Sequence, residues 1–240
     1  FTPGAMARWG MGYDELHARN HRLVVVSSTL NGQTGPQSDL AGFGTMGGQL
    51  AGFGAITGWP DRAPAGPFVA YTDYTSPKFV ALAALAGLAE RRRTGEGQHI
   101  DLSQIESGMH FLTPALLDYS VNGRIAQPSG NRSPWMAPHG VYPCQGVDAW
   151  VAIACDSEEQ WRALCAATEH PEWLGDGRFA DNTARLQETD ELDALLAEWT
   201  RSRSADEIES ILQAVSVPVH RATTTVDAFA DAQLEHRQHF

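Results

Sequence analysis

Positive charge is scarce in this chain. Lys and Arg together number 17 against 29 Asp and Glu, giving a formal net charge of −12. Nucleic acids and anionic membrane surfaces need clustered cations to neutralise their phosphates, so neither is an expected partner. A phosphate-bearing small molecule stays open, because a few well-placed arginines suffice for it. Cysteine is also sparse. Cys144, Cys155 and Cys165 show no CxxC spacing and cannot all pair, which fits free thiols in a reducing compartment. Long apolar runs are missing: the longest, Phe79 to Ala89, falls short of the ~20 residues that cross a bilayer. No basic segment, apolar run and cleavage site opens the chain, and the expected location is the cytoplasm. There is no GxSxG elbow, no HExxH, and no metal-like grouping of the nine histidines. Neither a metal nor a permanently bound cofactor is expected.

What is present can build a core, since 42% of the 240 residues are hydrophobic and only 19% are charged. Both ends look cut, with Phe1-Thr2-Pro3 starting without Met and Gln238-His239-Phe240 closing on a helix or its exit, so a fragment is expected. Tyr13 to Arg19 reads as a short helix, and the β-branched run Leu23 to Ser28 as a buried parallel strand. Gly42 to Gly58 carries seven glycines and suggests a helix that lets another backbone or a ligand come close. Its GxGxxG spelling, Gly42 to Gly47, does not follow the strand directly as a dinucleotide fingerprint must, so close packing is the better reading. Thr75 or Ser76 is placed to cap a helix running to Arg93, with Pro77 in its first turn and Thr94-Gly95 ending it. That helix is apolar nearly all round from Val80 to Ala89, which predicts burial. Gln98 to Leu102 reads as a strand, and Ser103 with Glu106 as a capping box for a helix to about Tyr119.

After Val121 the pattern changes to a loop rich in Pro, Gly and Asn. Gly140–Cys144 and Ala149–Cys155 read as a hairpin, followed by helices capped at Ser157 and Ser204 and another at Thr189–Arg201. Val217 to Arg221 is an extended segment, and Val226 to Glu235 a closing helix. The first half alternates strand and helix in the α/β manner, and the second is α+β.

Among chemically useful groups Asp73 comes first. A carboxylate just ahead of the N-terminus of a long helix faces unpaired N–H groups and the positive end of the dipole, both favouring its ionised form. Position alone favours the blander reading of a helix-capping aspartate. Tyr71, Thr72, Tyr74 and Thr75 beside it could line a site or a core. Arg8, next to Trp9, could pair with a phosphate, and Arg91-Arg92-Arg93 most simply complements a helix C-terminus.

Taken in order, several segments resemble the family III CoA-transferases of the CaiB/BaiF type, which include formyl-CoA transferase. They are Phe1-Thr2-Pro3-Gly4-Ala5-Met6 with Gly10-Met11-Gly12-Tyr13, Asn20 to Ser27, Gly32-Gln33-Thr34-Gly35-Pro36, Thr72-Asp73-Tyr74-Thr75, and Arg92 to Asp101. Weaker likeness continues through Gly140-Val141-Tyr142-Pro143 and Val217-Pro218-Val219. The resemblance implies that Asp73 is the nucleophile, moving CoA between an acyl-CoA and a free carboxylic acid through a mixed anhydride and an aspartyl-CoA thioester. It implies that Gln33 orients the reacting acyl group. It also implies that Phe1, Thr2, Arg8, Leu30, Asn31 and Gly32 contact CoA, with Asp156, Ser157 and Glu158 near a further contact loop.

The resemblance further implies part of a Rossmann-like CoA-binding domain at 1–125, a small α+β domain at 126–216 and a segment, 217–240, returning to the large domain. An interlocked homodimer is expected. Two departures stand out. The glycine-rich lid of formyl-CoA transferase is replaced by Asn131 to Pro138, where Trp135 and Met136 suggest contact with a larger acyl group. The histidine of racemases on the same fold aligns with Phe43, which cannot move a proton and so favours transfer. An acyl-CoA racemase or epimerase, and a non-catalytic binding or assembly subunit, are the alternatives.

Overall fold

The structure is a computed structural model and describes residues 2–240. It divides into two compact units, one ending at Gly130 and the other running from Asn131 to Phe240.

The first unit opens with two short helices, α1 (Ala5–Arg8) and α2 (Tyr13–Arg19), before strand β1 (Val24–Thr29). The glycine-rich stretch forms not one helix but two, α3 (Gly44–Leu50) and α4 (Phe53–Ile56). Gly52 breaks it at φ +102°, a left-handed angle that glycine adopts without a Cβ penalty. The long helix α5 (Tyr71–Thr94) leads to β2 (Gln98–Ser103), which pairs with β1 in parallel, Val24 opposite Gln98 and Thr29 opposite Ser103. A strand, a helical crossover and a parallel strand is the expected unit of an α/β sheet.

Two expectations for α5 need correction. The helix begins at Tyr71, one turn before the Thr75 or Ser76 cap, so Pro77 lies in its interior. The early start is fixed by tertiary contact, because buried Thr72 donates its hydroxyl to the Gly44 carbonyl at 3.1 Å. Pro77 has no N–H for the carbonyl of Asp73 four residues earlier, so the helix begins with one bond fewer. Nor is its apolar body buried: Leu82 and Leu85 are 64% and 65% exposed. Gly87 alone in that stretch is buried, where an added Cβ would stand 2.7 Å from Val24 on β1. Its C-terminus is as expected, with Gly95 at φ +87° following Arg91-Arg92-Arg93.

Ser103 caps the next helix, accepting the Glu106 N–H at 3.2 Å. That helix is interrupted rather than continuous, as α6 (Gln104–Met109), a 3-10 turn at His110–Leu112, and α7 (Thr113–Asn122). Pro114 explains the break, since it offers no N–H to the carbonyl of His110. The buried apolar cluster here is small, built on Ala51, Phe53 and Leu112.

The second unit has the larger core. Strands β3 (His139–Pro143) and β4 (Trp150–Ala154) form the expected antiparallel hairpin. Burial alternates along β4, with Val151 and Ile153 inward and Trp150 and Ala152 outward. Helix α8 (Glu158–Ala167) is capped by Ser157, and two 3-10 turns lead to α9 (Asn182–Gln187), α10 (Thr189–Arg201) and α11 (Ala205–Gln213). Leu164, Leu192, Leu196, Ile208 and Leu212 from these helices are fully buried against the inner face of the hairpin. Strand β5 (Val219–Arg221) then pairs antiparallel with β4. The expected final helix is two, α12 (Thr225–Phe229) and α13 (Ala232–His236), because Asp231 caps a new start by accepting the Leu234 N–H at 2.8 Å.

One buried charge organises this unit. Arg185 is 1% exposed and its guanidinium holds Glu158 through both oxygens, at 2.6 and 3.2 Å. It also donates to the carbonyls of Ala137 (2.8 Å) and Phe179 (3.3 Å) and lies over the ring of Trp161. The loop from Asn131 to Pro138 is fixed on the same unit. Arg132 bonds Asp190 and Asp193, while Asn182 bonds the backbone of Trp135 and Ala137. Trp135 itself is exposed.

Candidate active site

Asp73 sits in the first turn of α5, with the chain around it set by α3. Its Oδ2 accepts the Gly44 N–H at 3.2 Å, and the neighbouring Thr72 hydroxyl donates back to the Gly44 carbonyl. One glycine is therefore gripped from both sides of its peptide by two consecutive residues of α5. A side chain at this position would be crowded. An added Cβ would meet Asp73 Cγ and Oδ2 at 2.5 Å and the Ala70 carbonyl at 2.8 Å. The Asp73 side chain remains exposed, so its second oxygen is not enclosed in an apolar interior.

Beside α3 lies the loop from Leu30 to Gln33. Leu30 is buried in the space that missing side chains leave on α3 and just before it: a Cβ would approach it to 2.6 Å at Gly42 and 2.9 Å at Gly47. The same hypothetical Cβ at Gly47 would touch Thr72 Oγ1 at 2.5 Å. The glycines thus bring loop, α3 and the start of α5 into one packed neighbourhood. That is the close approach expected of them, and it is made to other parts of the chain.

On its other side the loop borders a groove of about 420 Å³ lined by Thr2, Tyr13, Ser27, Thr29, Gln33 and His99, among others. Ser27 Oγ and His99 Nε2 share a hydrogen bond of 2.8 Å, and Tyr13 stacks on the His99 ring with centroids 5.3 Å apart. Thr29 Oγ1 and Asn31 Nδ2 are buried here without a hydrogen-bond partner among the described residues. Of the expected CoA contacts Thr2 lines the groove, and so does Gln33, the residue expected to orient the acyl group. Asn31 and Gly32 stand in the bordering loop, and Leu30 faces α3. Arg8 is exposed and donates to Thr2 Oγ1 at 3.3 Å. Phe1 lies outside the described residues. In the second unit, Glu158 is engaged by Arg185 and Ser157 by its helix cap, accepting the Gln160 N–H at 3.2 Å. Tyr71 packs edge-on against Phe53 in the core, whereas Tyr74 is exposed.

The whole chain, residues 1–240, matches CoA-transferase family III. It belongs to that family. Two curated family relatives are named CoA-transferases. The chain is 35% identical to the succinyl-CoA–D-citramalate CoA-transferase of Chloroflexus aurantiacus, across 99% of this chain and 59% of that protein. It is 34% identical to the acetyl-CoA:oxalate CoA-transferase of Acetobacter aceti, across 91% of this chain and 56% of that one. A CaiB/BaiF family protein from Brucella suis superposes with a TM-score of 0.91 at 32% identity, over 99% of this chain and 62% of the other. The chain therefore spans less than two thirds of the length of these relatives, and it shares its mixed α/β fold with the Brucella suis protein. No described helix is long and apolar enough to cross a membrane.

Sequence reading missed four contributors to this family's candidate site. Tyr13, Ser27 and His99 stand inside the quoted motifs, but nothing in their spacing puts them in one groove. Gly44 lies 29 residues from Asp73, and only the tertiary fold makes it a hydrogen-bond donor to the carboxylate.

Proposed function

We propose that the protein of which this chain is part transfers CoA between an acyl-CoA and a free carboxylic acid, with Asp73 as the covalent nucleophile. The observation that carries this reading is the exposed Asp73 carboxylate, held by the Gly44 N–H at the start of a long helix. The family membership and the two transferase relatives support it.

The reaction follows from carboxylate chemistry. An Asp73 oxygen attacks the thioester carbon, expels CoA thiolate and forms a mixed anhydride. The thiolate then attacks the aspartyl carbonyl of that anhydride, releasing the first acid and leaving an aspartyl-CoA thioester. The acceptor carboxylate attacks this thioester, and the same two steps run in reverse to give the new acyl-CoA and free Asp73. Each intermediate is close in energy to the substrate thioester, so its energy is conserved rather than lost to water. In this reading Gln33 orients the acyl group, and Thr2, Arg8 and the Leu30–Gly32 loop hold CoA, with Phe1 assigned by resemblance alone. Acyl groups such as succinyl and acetyl, and acceptors of the dicarboxylate class, are suggested by the two relatives' names.

The proposal extends to architecture. The parallel β1–β2 pair joined through α5 supports part of a Rossmann-like domain at 1–125, beside a small domain at 126–216. A cytoplasmic homodimer and contact of Trp135 and Met136 with the acyl group belong to the same proposal, whereas the expected return of 217–240 to the large domain does not, because β5 pairs with β4 and the segment stays with the second unit. The racemase alternative is disfavoured by Phe43, which is 64% exposed immediately before Gly44 and offers no proton. The test is CoA transfer from succinyl-CoA to a panel of dicarboxylates by the natural full-length protein. Asp73→Asn is expected to be inactive with every acceptor, whereas normal turnover in that variant sinks the mechanism.

A further inference from the structure

The Leu30–Gln33 loop is tied at both ends to the far end of β2. At its start, the Leu30 carbonyl accepts the Ser103 hydroxyl and the Ile105 N–H, each at 3.1 Å. At its other end, the Gln33 N–H reaches both carboxylate oxygens of Asp101, at 3.0 and 2.9 Å. The register explains the shape. Thr29 pairs with Ser103 and Ser27 with Asp101, so Asp101 stands two residues before the end of the pair. After β1 the chain must double back to bring the Gln33 amide to it. Gly32 makes that reversal, buried at φ +88°, where a Cβ would come within 3.4 Å of Asp101 Oδ2. The loop lies beyond the carboxyl ends of two parallel strands, the place where open α/β sheets hold their ligands. Gln33 lines the groove there.

Asp101 itself is exposed and makes no ion pair among the described residues. A backbone N–H near the surface could be satisfied by water almost as well, so the fold gains little from this bond. What a charged, two-oxygen acceptor adds is direction. It fixes one amide, and with it the side chain that follows.

We propose that Asp101 is a positioning residue for acyl transfer: it holds the Gln33 backbone so that the Gln33 side chain meets the acyl end of a bound CoA thioester. This rests on the CoA-transfer reading of the groove. Its consequence is a division of labour on β2, with Ser103 securing the buried start of the loop and Asp101 aiming its reactive end. The part of the ligand served is the thioester, not the nucleotide.

The experiment uses the natural full-length protein with succinyl-CoA as donor and measures kcat, KM and the affinity for free CoA. Asp101→Ala is expected to lower kcat about 10- to 100-fold, the scale of a misplacement near 1 Å. Affinity for free CoA should change less than about threefold, a smaller effect than the rate loss. Asp101→Asn, whose amide oxygen can still accept the Gln33 N–H, should recover most of the lost rate. In a Gln33→Ala background the Asp101→Ala change should cost no more than about threefold, because the group being aimed is gone. Several outcomes overturn the proposal: wild-type kcat in Asp101→Ala, a loss in kcat that Asp101→Asn does not recover, or an undiminished loss in the Gln33→Ala background. If wild-type protein forms no covalent adduct at Asp73, the underlying reading fails, and this one with it. A normal wild-type adduct beside an indifferent Asp101→Ala overturns this inference alone.

Discussion

Replacing Gly44 with alanine separates geometry from stability at the candidate nucleophile. In a helix the substitution is favourable by up to about 1 kcal/mol from propensity alone. Here the new methyl would arrive 2.5 Å from Asp73 Cγ and Oδ2 and 2.8 Å from the Ala70 carbonyl, about 1 Å inside ordinary contact. The carboxylate can rotate away, but the Ala70 carbonyl is backbone and cannot. Overpacking of this kind costs about 1–3 kcal/mol, so the net loss of stability should stay within about 2 kcal/mol once propensity is credited. The effect on chemistry is larger. Displacing a reacting group by about 1 Å costs roughly 100-fold in rate, and the Gly44 N–H that steadies the carboxylate shifts with it. The assay is the pre-steady-state rate of CoA release from succinyl-CoA, with a thermal melt on the same sample. Gly48→Ala is the control: it is buried on the same helix, yet its Cβ would meet only Pro67, at an ordinary 3.5 Å. Equal rates for wild type, Gly44→Ala and Gly48→Ala would refute the reasoning. So would a melting loss in Gly44→Ala large enough to account for the whole rate defect.

The second unit carries its own predictions. Arg185→Ala strips Glu158 of its partner and leaves the carbonyls of Ala137 and Phe179 unsatisfied, which should cost about 3 kcal/mol in denaturant unfolding. Because Arg185 holds the Glu158 carboxyl below its ordinary value of 4.5, this pair contributes fully above that pH and is lost as pH falls through the lowered pKa. Glu158→Gln should therefore flatten the acid limb of the stability profile, and an unchanged limb contradicts the assignment. The three cysteines are buried, with burial pushing the thiols of Cys155 and Cys165 up to about 12. Native protein should thus show no rapid alkylation of these two at pH 8, and denatured protein should show all three react.

The parts legible in the sequence were those written locally. Ser157 and Ser204 each start a helix because their hydroxyls accept an N–H three residues on, and α10 spans Thr189 to Arg201 as expected. Residues 171–187 went unread, because short 3-10 turns have no periodicity. Yet Trp173, Phe179 and Arg185 are all buried there. The start of α5 was misjudged for a different reason. Capping residues at Thr75 and Ser76 are a local signal, and the Thr72 bond to the Gly44 carbonyl, made across 28 residues, overrides it. The apolar face of α5 shows the same limit from the other side: its composition predicts burial, but Leu82 and Leu85 stay exposed because composition does not supply a covering element. At the candidate site, Asp73 and the Gly32-Gln33 loop were visible as motifs, whereas their supports, Gly44 and Asp101, exist only as tertiary partners.

The most direct measurement is peptide mass spectrometry of the natural full-length protein, quenched during turnover with succinyl-CoA. A CoA-thioester mass on the peptide that contains Asp73, absent from Asp73→Asn, is the predicted result. Steady transfer with that peptide unmodified at every quench time would contradict the account.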